Sequence, residues 1–332
     1  MKLYIRKDVA ARVWNYGSLD LAFAEMVDPY EGKELTLEAE RSFDQLDLRS
    51  PRNLEIAPDG SIYLLDTGNH RVIHLSSEGD ILNTWGEYGS QETGEGALPG
   101  TFNEPWGIAV SPEGEVYVAD TWNHRIQKFS PEGNYLTSWG QFGQRETPDA
   151  FWGPRDVAVD ENGHVYVADT GNKRIVVFNT EGTFITEFGD VGYADGQFDE
   201  PSGLALNGDG NLYVADTWNQ RVQVFSPDIN GLAQNFLTKW DVEGWYGQSL
   251  DNKPYLTIGQ DGLVYASDPE FSRIIVYTAT GEVVALWVME GQDQTNLFFP
   301  TGLAADQEGG IWVSDTKNDR VQYFLPSISS PE

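Results

Sequence analysis

Residues 102–140 read FNEPWGIAVSPEGEVYVADTWNHRIQKFSPEGNYLTSWG, and this stretch decides the fold. Four short runs stand out in it: Gly107 to Ser111, Val116 to Asp120, Ile126 to Phe129 and Tyr135 to Trp139. Their length and their β-branched and aromatic content predict strands. Between them lie Pro112-Glu113-Gly114, Thr121-Trp122-Asn123-His124 and Pro131-Glu132-Gly133-Asn134, residue types that reverse the chain.

The same text returns as FWGPRDVAVDENGHVYVADTGNKRIVVFNTEGTFITEFG over residues 151–189, and as FDEPSGLALNGDGNLYVADTWNQRVQVFSPD over residues 198–228. Further copies start at Pro51, Pro254 and Phe299. An Asp followed five positions later by Arg measures the repeat: Asp66/Arg71, Asp120/Arg125, Asp169/Arg174, Asp216/Arg221, Asp268/Arg273 and Asp315/Arg320. Successive Asp residues lie 54, 49, 47, 52 and 47 apart, so the chain holds six copies of a unit near 50 residues long. Gly60, Gly114, Gly163, Gly210, Gly262 and Gly310 mark the first hairpin of each copy, where a tight turn calls for positive φ.

Six copies of four antiparallel strands predict an all-β protein, a six-bladed β-propeller forming a single domain. Its blades start near residues 51, 102, 151, 198, 254 and 299 and end near 326, behind a non-repeat segment of residues 1–50. The sixth copy ends after its third strand, so an N-terminal strand is expected to close the last blade and remove an exposed edge. Ala11 to Gly17 resembles the outer-strand endings Leu82 to Gly86 and Leu136 to Gly140 and is the first choice; Glu34 to Ala39 is the alternative.

Composition narrows the partners. With 21 Lys and Arg against 52 Asp and Glu, the formal charge is −31. Such a surface repels nucleic acid and anionic membranes, so neither is an expected partner. The longest apolar run, Val283 to Met289, is too short to span a bilayer, and the first eight residues carry no apolar core of the signal-peptide kind. There is no cysteine, which excludes disulfides and thiolate chemistry. The acidity is also what adaptation to salt would produce.

The run P-x-G-[IL]-A-[VL], then [VIL]-Y-V-A-D-[TS]-x-N-x-R-[IV]-x-x-[FY], resembles the NHL-repeat family of six-bladed propellers over roughly residues 51 to 325. The resemblance implies a choice of uses: protein- or RNA-binding platforms, extracytoplasmic domains of larger envelope proteins, and lyases. Related propellers include metal-dependent lactonases. Fold alone does not choose among them.

The Asp/Arg columns recur in every copy and are therefore expected to be structural, the carboxylate accepting N–H groups while the guanidinium forks onto it. Asn207-Gly208-Asp209-Gly210-Asn211 lacks the spacing and terminal Glu of a calcium loop and reads as a hairpin turn. No resident cofactor is expected, with calcium held by neighbouring acidic turns as the open alternative. Lyase-like members of the family hold zinc with several His. Here His70, His74, His124 and His164 fall at positions that do not converge.

Function is expected where the repeat breaks its own rule. After each blade-opening Pro come Arg52-Asn53, Trp106-Gly107, Arg155-Asp156, Ser202-Gly203, Tyr255-Leu256 and Thr301-Gly302, at the mouth of the central channel. Arg52, Asn53, Trp106, Arg155, Asp156 and Tyr255 are the candidate ligand-binding residues; plugging of a narrow channel is the other reading of the same set. Trp122 and Trp218 share a turn slot that holds Gly68 and Gly171 in other copies, and are candidate interaction residues or packing onto a neighbouring blade. The first functional expectation is a non-catalytic platform for a protein or glycan, as an outer, extracytoplasmic domain excised from a larger envelope protein. The alternative is a metal-dependent lactonase- or lyase-like enzyme in the channel, with Asp156 as its base.

Overall fold

The computed structural model describes residues 30–90, 97–246, 249–287 and 296–326. Six antiparallel sheets, blades I to VI, span residues 54–85, 105–139, 156–188, 201–241, 256–287 and 300–324. In blade II the strands are Pro105–Val110, Val116–Asp120, Arg125–Phe129 and Tyr135–Trp139, in order from the channel outward. Because the strands alternate in direction, each blade places its two hairpins on one face of the disc. The turn between its second and third strands, and the connection to the next blade, lie on the other. These are called the hairpin face and the turn face.

Buried apolar residues form a cluster at every blade interface, each drawing on two neighbouring blades. The YVAD-type second strands are buried on both faces, which explains their near-continuous apolar text. The Asp/Arg pairs act as expected, but the carboxylate reaches further than its own turn. Asp120 Oδ2 accepts from Arg125 Nε (2.8 Å) and Asn123 Nδ2 (2.9 Å), while Oδ1 accepts from the backbone N–H of Asn103 (2.7 Å). The rest of the Arg125 fork donates to the carbonyls of Ala97, Leu98 and Thr101. Each such unit ties a turn to the connection that leads into its blade. In blade V, where Pro269-Glu270-Phe271 interrupts the pattern, Arg273 Nε still donates to Asp268 Oδ2 (2.7 Å) and Arg273 Nη2 to the Glu243 carbonyl (3.0 Å).

Five of the first-hairpin glycines hold positive φ as expected; in blade VI the left-handed residue is Gly309, not Gly310. Gly309 N–H donates to the Asp306 carbonyl oxygen, the bond that Gly60 N–H makes to Ala57, and Gly309 stands six residues before Asp315 as Gly60 stands six before Asp66, so the turn register of this blade matches the others.

An N-terminal strand does close the last blade, but it is Arg41–Phe43, antiparallel to Arg320–Phe324. Ala11 to Gly17 lies outside the described residues. From the alternative segment, Glu34–Leu35 pairs in parallel with the outer strand of blade V, and Leu35, Leu37 and Ala39 pack on the interface of blades V and VI. The chain thus covers two neighbouring edges in succession. Phe43 stacks on Trp312 at 5.2 Å, and the Arg41 guanidinium lies 4.5 Å from the Tyr323 ring centroid. A three-residue strand is too short to show alternation, so side-chain packing rather than pattern selects it. No helix among the described residues is long and apolar enough to cross a membrane.

Candidate functional site at the channel mouth

The six inner strands converge until they cannot all carry a side chain at the narrowest ring. Glycine stands there in blades II, IV and VI, and Asn53, Asp156 and Tyr255 in blades I, III and V. A Cβ on Gly107 would meet Asp156 Oδ1 at 2.7 Å, one on Gly203 the Tyr255 Cα at 2.6 Å, and one on Gly302 the Arg52 carbonyl oxygen at 2.6 Å. Blade V is one residue short at this point. The Tyr255 carbonyl accepts from Ser267 N–H as the Asn53 carbonyl accepts from Leu65 N–H. Tyr255 therefore belongs with Asn53 and Asp156, not with Arg52 and Arg155 as the spacing after Pro254 suggested.

These three side chains form a closed layer. Asn53 Nδ2 donates to Asp156 Oδ1 (3.2 Å), Leu204 N–H donates to Asp156 Oδ2 (2.8 Å), and the Tyr255 hydroxyl donates to the Trp106 carbonyl (2.8 Å). Burial raises the Asp156 carboxyl well above its ordinary range, against the pull of the Leu204 and Val157 N–H groups. Below the layer, toward the hairpin face, lies a channel of about 200 Å³ lined by Glu55, Ala109, Ala158, Ala205 and Thr257 among others. Glu55 is pushed up to about 7, chiefly by burial, with the Ile56 N–H opposing. Its column elsewhere holds Ala or Thr, a departure legible in the sequence two residues beyond the ring of Asn53, Asp156 and Tyr255.

Above the layer, on the turn-face side, the other candidates form a stack. The Arg52 guanidinium lies 3.6 Å and that of Arg155 3.8 Å from the Trp106 ring centroid. Two planar groups that close to one centroid must occupy opposite faces of the indole. Arg52 is satisfied by Asp251, donating to its carbonyl (2.9 Å) and Oδ1 (3.2 Å). Arg155 is 3% exposed, and its Nε and Nη1 have no partner among the described residues. Burial first, and then Arg52 beside it, push Arg155 down to about 10, with Tyr255, Glu200 and Asp251 opposing.

Trp122 and Trp218 stand in the turns between the second and third strands of blades II and IV and are half-buried there. Trp122 Nε1 donates to Glu104 Oε2 (3.0 Å), and its ring lies 5.5 Å from the Arg155 guanidinium. Trp218 lies between Lys173 (5.1 Å) and Lys253 (5.2 Å). Lys253, fully buried, donates to Glu200 Oε2 (2.7 Å) and is pushed down to about 8, mainly by burial. Lys253 and Asp251 sit on the connection between blades IV and V, whose text does not repeat, whereas Glu200 occupies the repeat slot of Glu104 and carries no departure that would single it out.

An aromatic track leads outward from this centre. Trp122 meets His124 edge-on (6.5 Å), His124 meets Phe142 (4.9 Å), and Phe142 meets Trp152 (6.4 Å). A short parallel ladder, Gln141–Phe142 with Ala150–Phe151, fixes the outer end, and Gly171 leaves room for the Trp152 ring. Phe142 is 57% and Trp152 42% exposed. Tyr88, Tyr193, Tyr246 and Phe298 are exposed on the other connections of the same face.

The four histidines stay apart. The Nδ1 atoms of His70 and His124 accept from Glu104 and Gly153 N–H, His74 bonds Ser61 Oγ, and His164 bonds Asp160 Oδ2. Among the described residues no three His, Cys, Asp or Glu side chains gather as metal ligands. Asn207 to Asn211 is a hairpin turn whose Asn207 Oδ1 accepts from Asp209 and Asn211 N–H.

The NHL repeat pattern matches residues 102–129, 151–178, 198–225 and 299–324. The chain is 44% identical over 52 residues to Protein brain tumor of Drosophila melanogaster, covering 16% of this chain and 5% of that protein. It is 36% identical over 102 residues to NHL repeat-containing protein 3 of Homo sapiens, covering 30% and 27%. The matched stretches are thus under a third of either relative. Among solved structures, a gluconolactonase of Xanthomonas campestris superposes with a TM-score of 0.60 at 13% identity, covering 87% of this chain and 92% of that one, a likeness of fold alone.

Proposed function

Because this chain is a six-bladed β-propeller built from NHL repeats, we infer that it works as a non-catalytic interaction platform that seats a protein or glycan on its turn face. The observation that carries this reading is the aromatic track from Trp122 through His124 and Phe142 to Trp152, half-buried at the channel mouth and exposed at the rim. Aromatic rings on a rigid scaffold supply contact area at low entropic cost, and such residues dominate binding energy in interfaces. Exposed aromatics on the neighbouring connections extend the same surface around the disc.

The lactonase- or lyase-like alternative would use the channel, and the donor set there does not fit a resident metal. Both Asp156 oxygens are taken up by Asn53 and Leu204, and burial favours its neutral form. Burial disfavours the charged carboxylate that a metal would need, and among the described residues no three His, Cys, Asp or Glu side chains gather as ligands.

The test is partner capture by the full chain and by the double variant Trp122→Ala/Trp218→Ala, with folding checked by circular dichroism. The double variant should lose captured partners while staying folded. Equal capture by both proteins would remove the turn face from consideration.

A further inference from the structure

Arg155 is a buried cation with no carboxylate bonded to its Nε or Nη1, in a protein where acidic residues outnumber basic ones by more than two to one. Neither a carboxylate nor a carbonyl among the described residues accepts from its Nε or Nη1. The Arg residues of the turn columns bury their charge differently: each pairs its Nε with an Asp, as Arg221 does with Asp216 at 2.7 Å. A buried guanidinium whose donors lack acceptors is unfavourable, and Glu200 and Asp251 act on this one only from a distance, so the site favours an anion in direct contact.

Its surroundings describe the missing group. Arg155 lies flat on one face of Trp106 with Arg52 on the other, and Trp122 stands 5.5 Å away. The Nε1 of Trp106 is another donor without an acceptor. Orphan Trp N–H groups also occur in the outer strands, so the indole supports the case and Arg155 carries it. Arg52 shows what these guanidiniums take. Its fork holds the carbonyl and Oδ1 of Asp251, an internal carboxylate that is 64% exposed and sits on the connection between blades IV and V. A second carboxylate arriving beside Asp251, or exchanging with it, meets two guanidiniums held rigid by one indole. Planar carboxylate against guanidinium is the pairing Arg makes best.

We propose that the turn-face mouth is a carboxylate-binding site centred on Arg155, with Arg52 and Trp106 as its other walls and Asp251 as an internal competitor. This deepens the interaction-platform reading and rests on it for the source of the ligand. The carboxylate is an acidic side chain of the seated partner, whose apolar neighbours then lie along Trp122, Phe142 and Trp152. A free small carboxylate has the same chemistry but leaves that aromatic track unused.

The experiment is thermal unfolding of the full chain at constant ionic strength, titrated with propionate against propionamide. A second pair is a blocked Ala-Ala-Glu-Ala-Ala peptide against its Gln twin. The expected result is a saturable rise in Tm with propionate and with the Glu peptide, and none with the two amides. Arg155→Met should abolish both responses without lowering the starting Tm, because it removes a cation that lacks a partner. Asp251→Asn should lower the half-saturating concentration several-fold. No saturable response in the wild type or in Asp251→Asn, or a response that survives in Arg155→Met, overturns the site. Saturation by propionate but not by the Glu peptide overturns the partner side chain as the source and assigns the site to free carboxylates. Failure of the platform reading shows separately, as partner capture unchanged in the double Trp variant.

Discussion

Gly203 of blade IV lies against Tyr255 of blade V so closely that a Cβ on Gly203 would stand 2.6 Å from the Tyr255 Cα. The same relation joins Gly107 to Asp156 and Gly302 to Asn53, so the narrowest ring of the channel alternates between an absent and a present side chain. The alternation sets which residues can reach the axis and therefore what plugs it.

Gly203→Ala should destabilise the protein by about 1–3 kcal/mol in urea unfolding, since the clash is with backbone that cannot rotate away. Gly208→Ala, five residues on, meets nothing within 4 Å and has no positive φ. It should be neutral or stabilise by about 0.4–1 kcal/mol. Equal effects at the two positions would show that the ring is looser than its geometry states.

Glu55 should make stability fall with rising pH. Its folded-state pKa is raised from 4.5 to about 7, so its contribution is fully present below the unfolded value near 4.5 and is lost as pH rises through about 7. Asp120 and Asp268, each raised to about 6 mainly by burial, titrate in the same direction, so the comparison must be with Glu55→Gln. That variant should match the wild type near pH 5 and exceed it at pH 8 by about 1–2 kcal/mol, less than the full shift implies because the half-buried carboxyl lines the open channel. Parallel stability–pH curves for the two proteins would count against a raised Glu55 carboxyl in the channel.

Phe43→Ala should cost about 3–4 kcal/mol in thermal or urea unfolding, the range for removing a buried aromatic. Losing its stack on Trp312 also loosens Arg41–Phe43 from the last blade and bares the edge of Arg320–Phe324. Light scattering should then detect association that the wild type lacks. A monomeric variant of unchanged stability would place the ring closure elsewhere.

Arg221→Lys tests why the columns use Arg. The guanidinium pairs with Asp216 and also donates to the carbonyls of Tyr193, Ala194 and Gln197, a fork that one ammonium cannot reproduce. About 2–3 kcal/mol should be lost on Arg221→Lys, and about 3–5 kcal/mol on Arg221→Ala, which strands a fully buried Asp216. If Lys substitutes without loss, the carbonyl contacts carry no net stability.

The sequence by itself determined the blades. Six registered copies of one text give strand number, turn positions and the structural use of the Asp/Arg columns, because these depend on local periodicity and on residue types that a turn or a fork requires. It also located the mouth, since Arg52, Trp106 and Arg155 break the repeat at one offset. Only the tertiary structure decided what those residues do. Ring closure fell to Arg41–Phe43, whose pairing depends on contacts with Trp312 and Tyr323 far along the chain. Tyr255 moved into the column of Asn53 and Asp156 because blade V is one residue short: Pro254 stands 14 residues before Asp268 where Pro51 stands 15 before Asp66, and the N–H that the Tyr255 carbonyl accepts shows where along the strand the residue is missing. Arg52 and Arg155 became unlike one another because Asp251, from a non-repeating connection, hydrogen-bonds one guanidinium and not the other. Periodicity records what each blade does for itself, whereas the charge balance of a shared axis is set by residues from different blades that no local pattern relates.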